Sequence, residues 1–329
     1  MEDVYHNSVR TDTLNKENNE KWFTWVEACF LLLIPIAVFG FIHVKNKLGK
    51  KKIESANLHI NGICNYSCGF CFSKNLGNEI MTPLQWEPIL RDLWKRGVTK
   101  INFAGGEPTL HPQIIELCEL AKSIGFTVSI VTNGSKIDNE LMKKMKGFVD
   151  WIGLSIDSTD NEVEKAVGRQ CKGMSHIDNV IEVADMAHDH GIRVKLNITV
   201  IHQSHKQNFS GLIRRINPER VKAFQVTKVE GENEDKYDEY SLTKEEWNYF
   251  KRNHENILLS NEEKIVFESA DDMIDSYLML NPMGMIMKNT NHKQSFVPYD
   301  IIKIDGFTSV VDATKYHRRG AVFKWGSPV

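Results

Sequence analysis

Short runs of strand character alternate with helical stretches from residue 56 onward, and this alternation restricts the fold more than any other feature of the chain. "ANLHI" is followed by a helical stretch from Thr82 to Gly97, "KINFA" by one near His111 to Gly125, and "FTVSIV" by one from Asp138 to Gly147. "DWIGLSI", "IRVKLNITVI" and "RVKAFQVT" continue the series, with helices near Lys172 to Gly191 and Asn208 to Ile216 between them. Parallel pairing needs long crossovers, which these helices supply. Six such units therefore predict an α/β fold with a parallel sheet inside and helices outside, a partial (β/α)6 TIM-like barrel over residues 56–230. In that architecture the chemistry collects at the C-terminal ends of the strands.

The residue types at those ends fit this expectation. The first strand runs into "CNYSCGFC" (Cys64 to Cys71), the second into "GGEP" (Gly105 to Pro108) and the third into "TNGS" (Thr132 to Ser135). Ser155 and Asp157 share one face of strand four by period-2 alternation, and Lys195, Asn197 and Thr199 share one face of strand five. Polar residues at that period in an apolar strand predict a wet lumen; for Lys195 a solvent-facing edge strand is the alternative. Beyond Glu230 the pattern is less regular. "SLTKEEW" predicts a helix capped by Ser241, and "SADDMIDSYLML" a second one with Met273, Ile274, Tyr277 and Leu278 on one apolar face. Residues 231–329 are expected to extend and close the barrel.

Cys64, Cys68 and Cys71 stand together in a C-x3-C-x2-C pattern, while Cys29, Cys118 and Cys171 are isolated. This is metal-site usage in a reducing compartment and not a disulfide framework. Structural zinc usually takes four ligands, and no second cysteine pair exists, although His59 could complete such a site. Three thiolates suit a [4Fe–4S] cluster with one iron left for a substrate or cosubstrate. The formal net charge of −2 gives no global basic field and argues against nucleic acid as a partner. An anionic ligand must therefore be gripped locally.

C-x3-C-x2-C with Phe70 before its last cysteine, followed one strand later by "GGEP", resembles the radical S-adenosylmethionine (SAM) superfamily. The resemblance implies a [4Fe–4S] cluster on Cys64, Cys68 and Cys71 whose open iron chelates SAM. It also implies cofactor contacts from Phe70, from Gly105, Gly106 and Glu107 to the SAM amino group, and from Thr132, Asn133 and Ser155 near the ribose or carboxylate. Alone, "GGEP" also reads as an ordinary turn. In order along the chain, "CNYSCGFCF", "KINFAGGEP", "SIVTNGS", "VGRQCKG", "VKLNITVI", "VKAFQVTKVEGEN" and "DSYLML" resemble the viperin family over about residues 55 to 325.

That family resemblance implies conversion of a nucleoside triphosphate to its 3′-deoxy-3′,4′-didehydro analogue, an antiviral chain terminator. The substrate is CTP in vertebrate members and UTP or GTP in related ones. The 5′-deoxyadenosyl radical takes the ribose 4′ hydrogen, the 3′ hydroxyl leaves as water, and one electron and one proton complete the product. By the same resemblance Asn65, Arg169, Lys195, Asn197 and Lys222 contact substrate and Tyr277 relays a hydrogen atom or electron. Arg318 and Arg319 could add to the phosphate contacts or be solvated surface charges, and Tyr277 could instead be a packed aromatic. An electron donor and iron–sulfur assembly proteins are the implied partners.

Two departures stand out. His202 occupies a position where vertebrate members carry Asn, which bears on base preference, and "FKWGSPV" lacks their longer tail, which recruits the assembly machinery. The competing readings are a radical SAM reaction on another small molecule or a peptide, and a membrane-bound antiviral interaction protein with a structural cluster. The lack of cysteines after Cys171 argues against peptide-modifying enzymes with auxiliary clusters.

The N-terminus is a separate region. Residues 1–21 are polar without period and predict disorder. Ala28 to Val44 is apolar except for His43, at the short end of the roughly 17–25 residues of a membrane span. An anchor helix over residues 22–44 is expected, with a membrane-surface helix and an uncleaved signal sequence as alternatives. Lys45, Lys47, Lys50, Lys51 and Lys52 make residues 45–55 a basic linker and, by the positive-inside bias, place the catalytic region in the cytosol. The resemblance implies the endoplasmic reticulum or another intracellular membrane, where vertebrate members carry an amphipathic surface helix.

Overall fold

Ile53 starts the folded chain slightly earlier than the lysine-rich sequence before it predicts. In the computed structural model it is 4% exposed and joins the main core, and the Glu54 carbonyl accepts from Thr99 and Lys100 N–H. The basic linker therefore ends before Ile53, because this apolar side chain is worth more inside than in solvent. The chain divides into two units, residues 1–51 and 52–329, and the structure describes residues 52–170, 173, 175–321 and 323. The predicted disordered segment, the anchor helix, Cys29 and Cys171 lie outside the described residues. Among the described residues no helix is long and apolar enough to cross a membrane.

Six strands pair in parallel in chain order: β1 (Ser55–His59), β2 (Lys100–Ala104), β3 (Thr127–Thr132), β4 (Trp151–Ser155), β5 (Arg193–Val200) and β6 (Arg220–Gln225). The crossovers are α1 (Pro83–Lys95), α2 (Ile114–Ile124), α3 (Asn139–Met145), α4 (Asn161–Ala166), α5 (His176–Asp189) and α6 (Ser210–Ile216). α1 shows why such a segment becomes a helix. Thr82 and Gln85 form a reciprocal capping box, Pro83 takes the first helical position, and Trp86, Leu90 and Leu93 recur on one buried face. Gly97, at φ 91°, then turns the chain into β2 where an L side chain would be strained.

β5 lies between β4 and β6, so the edge-strand alternative for Lys195 does not hold. The register places Ser155 opposite Asn197 and Asn197 opposite Lys222, which lines polar side chains across the sheet. The C-terminal part then covers both free edges. β7 (Val266–Glu268) pairs in parallel with β6, β8 (Met279–Leu280) pairs in parallel with β1, and β9 (Ile286–Lys288) and β10 (Ser295–Val297) continue antiparallel. The result is a ten-stranded partial barrel, completed by α7 (Tyr237–Tyr240), α8 (Lys244–His254), α9 (Ala270–Met273), α10 (Ile301–Asp305) and α11 (Ala313–Arg318).

Two expectations for this region are corrected. Thr243, not Ser241, caps α8, because only Thr243 has a glutamate, Glu246, at the third helical position to close a capping box. The helix expected over "SADDMIDSYLML" stops at Met273: Asp275 has φ 54°, and Met279–Leu280 pairs with β1 instead. The unpaired backbone edge of β1 outweighs an amphipathic spacing. Tyr277 thus leaves the apolar helix face it was expected to share.

α11 is tied to the first strand across the whole sequence. The buried Tyr316 hydroxyl accepts from Glu54 N–H and Ser55 N–H, each at 3.0 Å, and hydrogen-bonds Ser55 Oγ at 2.9 Å. Tyr316→Phe leaves two backbone donors without this acceptor. We expect a loss of about 1–3 kcal/mol in urea denaturation, and an unchanged midpoint would show that solvent replaces the hydroxyl.

Candidate active site

A cavity of about 310 Å³ opens at the inner face of the sheet. Alternation along the strands supplies its walls: Ser55, Asn57 and His59 from β1, Lys100, Asn102 and Ala104 from β2, and Lys195, Asn197 and Thr199 from β5. Cys64, Cys68, Phe70 and Cys71 enter from the loop after β1, and Gly105, Gly106 and Glu107 from the turn after β2.

The cysteine loop is held from several sides. Ser67 N–H donates to the Gly168 carbonyl (3.1 Å) and Gly69 N–H to Val167 (3.0 Å), while Asn233 Nδ2 donates to the Phe70 carbonyl (2.9 Å). Phe70 also packs edge-on against Tyr240 at 5.5 Å, and a Cβ on Gly69 would fall 2.2 Å from Tyr240 Oη. The "GGEP" turn abuts the same loop. Gly106 N–H donates to Asn61 (2.9 Å) and Glu107 N–H to Ile63 (2.8 Å); a Cβ on Gly106 would lie 2.2 Å from the Ile63 carbonyl oxygen. Glycine is required because backbone meets backbone just before Cys64.

Glu107 lines the cavity, yet its carboxylate is occupied by the chain. Oε1 accepts from Thr109 N–H (3.1 Å), Thr109 Oγ1 (2.6 Å) and Thr132 Oγ1 (2.6 Å), and Oε2 from Asn133 N–H (2.8 Å). Burial raises its pKa against these hydrogen bonds. Thr132, Asn133 and Ser155 also line the cavity. Asn65 does not: its amide bridges Asn133 (3.0 Å) and Ser135 (2.7 Å) at the surface.

Burial pushes the Cys64 thiol up to about 11 and Cys68 up to about 12, so both are thiols at neutral pH until a metal displaces their protons. The three sulfurs are not gathered as tightly as one zinc ion demands. Among the described residues, the group with three ligand atoms within 4.8 Å of one another is a different one, His202, His205 and Glu246. Three thiols spread around a loop, without a fourth protein ligand, fit a multinuclear iron–sulfur cluster. Two buried atoms of residues that line this cavity, His59 Nδ1 and Asn197 Oδ1, have no hydrogen-bond partner among the described residues.

The rest of the wall is cationic. Lys100, Lys195, Lys222, Lys288 and Arg319 line the cavity, and Arg169 lies near the cysteines, paired with Asp157 and 3.8 Å from Glu164. Burial and neighbouring cations hold Lys100 and Lys195 well below the usual lysine range, and burial brings Lys222 down to about 8 even though it pairs with Glu268. Glu268 stays charged: burial opposes this, but Lys222 and Arg319 outweigh it. Tyr277 donates to Glu268 and lies under the Arg319 guanidinium at 3.4 Å; burial keeps its phenol protonated.

Of the two terminal arginines, Arg319 reaches the cavity while Arg318 is exposed and paired with Asp272. His202 also lies off the cavity, 2.9 Å from Glu246. Sequence reasoning missed Lys100, Asn102, Asn57 and Glu268. The first three were within reach, since the period-2 alternation that singles out Lys195 and Asn197 also runs through β1 and β2.

The radical SAM superfamily model matches residues 58–216. An S-adenosylmethionine-dependent nucleotide dehydratase of Thermoplasmatales archaeon (strain ISO4-H5) is 44% identical over 84% of this chain and 97% of its own length. S-adenosylmethionine-dependent nucleotide dehydratase RSAD2 of Siniperca chuatsi is 28% identical over 86% of this chain and 84% of its own. The crystal structure of Streptococcus suis SuiB bound to precursor peptide SuiA superposes with a TM-score of 0.61 at 18% identity, covering 82% of this chain and 67% of that one; this likeness concerns the fold alone. Fold and site together define a radical SAM enzyme, with SAM and a [4Fe–4S] cluster as its cofactors. The chain belongs to the S-adenosylmethionine-dependent nucleotide dehydratases, the viperin family.

The cysteine loop also depends on a neutral histidine. His176 Nε2–H donates to the Ser155 carbonyl (2.9 Å), so Nδ1 is left to accept from Tyr66 Oη (3.2 Å). Burial lowers the His176 pKa to about 3 and the His59 pKa to about 4, against 6.5 when exposed. Both groups take up protons in the unfolded chain first. Their contribution is therefore intact above about pH 6.5 and is lost as pH falls toward 4. We expect Tm to drop over that window, and to drop less in His176→Gln; parallel wild-type and variant curves would refute the assignment.

Proposed function

We propose that this enzyme dehydrates a nucleoside triphosphate, CTP, UTP or GTP, to its 3′-deoxy-3′,4′-didehydro analogue, and so makes an antiviral chain terminator. The observation that carries the reading is the set of Lys100, Lys195, Lys222 and Arg319, all but Lys195 buried, on the same cavity as the three cysteines. A polyanion is the natural complement of clustered cations, of which Lys100, Lys195 and Lys222 are held below the usual lysine range by burial and neighbouring charges. Binding it would relieve their mutual repulsion and restore their charge.

Cys64, Cys68 and Cys71 would hold a [4Fe–4S] cluster, which together with SAM would supply a 5′-deoxyadenosyl radical. The chain's own residues then bind and orient. The Gly105–Gly106 backbone and Ser155 face SAM, and Lys195, Asn197, Lys222 and Arg169 serve the triphosphate end. Glu107 acts on SAM by fixing the loop geometry. Tyr277, whose O–H donates to Glu268 in the resting site, is the proposed relay: it gives its hydrogen atom to the product radical, and one electron from the electron donor and one proton restore the phenol.

The apolar run Ala28 to Val44 followed by five lysines supports an anchor in an intracellular membrane, such as the endoplasmic reticulum, with the catalytic unit cytosolic. An electron donor and iron–sulfur assembly proteins are the partners this chemistry requires.

Anaerobic incubation of the reconstituted enzyme with SAM, dithionite and each nucleoside triphosphate is expected to raise 5′-deoxyadenosine with at least one of them, and not after alanine substitution of Cys64, Cys68 or Cys71. No rise with any triphosphate would sink the substrate assignment. Lys195→Met should weaken triphosphate binding by roughly 10- to 100-fold, the worth of one charge-assisted hydrogen bond, with SAM affinity unchanged in the same titration. Equal affinity for the triphosphate would remove Lys195 from the site.

A further inference from the structure

We infer that His202, His205 and Glu246 form a binding site for a divalent metal ion of the zinc class, separate from the three-cysteine site. His202 and His205 sit on the turn after β5, and Glu246 is in the first turn of α8. Their ligand atoms lie within 4.8 Å of one another. His202 Nδ1 is 2.9 Å and His205 Nε2 3.6 Å from the same oxygen, Glu246 Oε1. A tetrahedral ion with bonds of about 2.0–2.2 Å sets its ligand atoms roughly 3.3–3.6 Å apart, within the range these two distances span.

The supporting contacts are those of a metal-binding histidine. His205 Nδ1 lies 2.5 Å from the His202 carbonyl, a contact that orients the ring with Nε2 toward Glu246. Glu246 Oε2 accepts from Thr243 N–H (2.9 Å), leaving Oε1 for the two rings. An ion pair between His202 and Glu246 would explain the shorter contact alone. It does not account for the second, buried imidazole that converges on the same carboxylate oxygen, with all three ligand atoms within 4.8 Å of one another.

The His202 side chain is 57% exposed, which gives an ion an entry path and a water-filled fourth position. Two imidazoles and a carboxylate suit zinc. An ion here would fasten the β5 turn to α8. It would also steady Tyr240, whose carbonyl accepts from His202 N–H (3.0 Å) and whose ring packs on Phe70 beside Cys71.

The test uses the full chain with its cluster reconstituted, so that the cysteines are occupied, exposed to zinc chloride and then desalted. One zinc per chain is expected, with a zinc-edge X-ray absorption spectrum showing only nitrogen and oxygen neighbours near about 2.0–2.1 Å and no sulfur at about 2.3 Å. His202→Gln, and Glu246→Gln, which keeps the helix cap, should each weaken zinc binding at least 10-fold with iron content unchanged. No retained zinc, a sulfur shell, or undiminished binding in both variants overturns the site. Because the wild-type spectrum reports the ligands directly, a variant that lost its fold would not leave the question open.

Discussion

One buried carboxylate holds the upper end of the barrel together. Glu107 receives four hydrogen bonds from Thr109, Thr132 and Asn133, while its own N–H and that of Gly106 reach back to Ile63 and Asn61. Three strand ends are thereby fixed to one another by a group that cannot afford to lose any donor, since an unpaired buried charge is among the costliest features a fold can carry. Cys64 follows Ile63 directly. The position of the first cysteine is thus set by hydrogen bonds made one and two strands away.

The cation wall obeys the opposite logic. Lys100, Lys195, Lys222, Arg220 and Arg319 are drawn toward one another with Glu268 as the principal carboxylate among them, and the depressed lysine pKa values record the strain. A chain of net charge −2 has no reason to bury such a cluster for stability. Burial in a low-dielectric cavity instead concentrates attraction for an anion at one place, where solvent and salt screen it least. The two parts of the site are therefore built differently: a carboxylate met by four hydrogen bonds beside the cysteine loop, and like charges crowded along β2, β5 and β6.

How far this could be read in the sequence depended on whether the signal was local. The cysteine spacing, the "GGEP" turn and the period-2 polar face of β5 are each contained in a few consecutive residues, and β1 to β6 are recognisable from composition and spacing. Glu268 was not, because β7 is three residues long and becomes a strand only by pairing with β6. Tyr277 was placed on a helix because its apolar neighbours have helical spacing, and only the unpaired edge of β1 draws that segment into a strand. His202 bore on base preference only through its place in the family pattern; what holds it off the cavity is Glu246, more than forty positions on and invisible to any local pattern.

The adjacent arginines at the end of α11 show how tightly fold and site are coupled. Arg318 lies in solvent against Asp272, whereas Arg319 is buried over Tyr277, with Nε donating to the Ser276 carbonyl at 3.0 Å. One residue of helical rotation separates a surface ion pair from a wall of the cavity. That rotation is set by Tyr316, three residues earlier, whose hydroxyl is locked to the backbone of Glu54 and Ser55. The start of β1 therefore fixes α11, α11 fixes Arg319, and Arg319 fixes the ring of Tyr277 and the charge on Glu268. A cavity whose cysteines come from the loop after the first strand thus takes one cation of its wall, Arg319, from the end of the last helix.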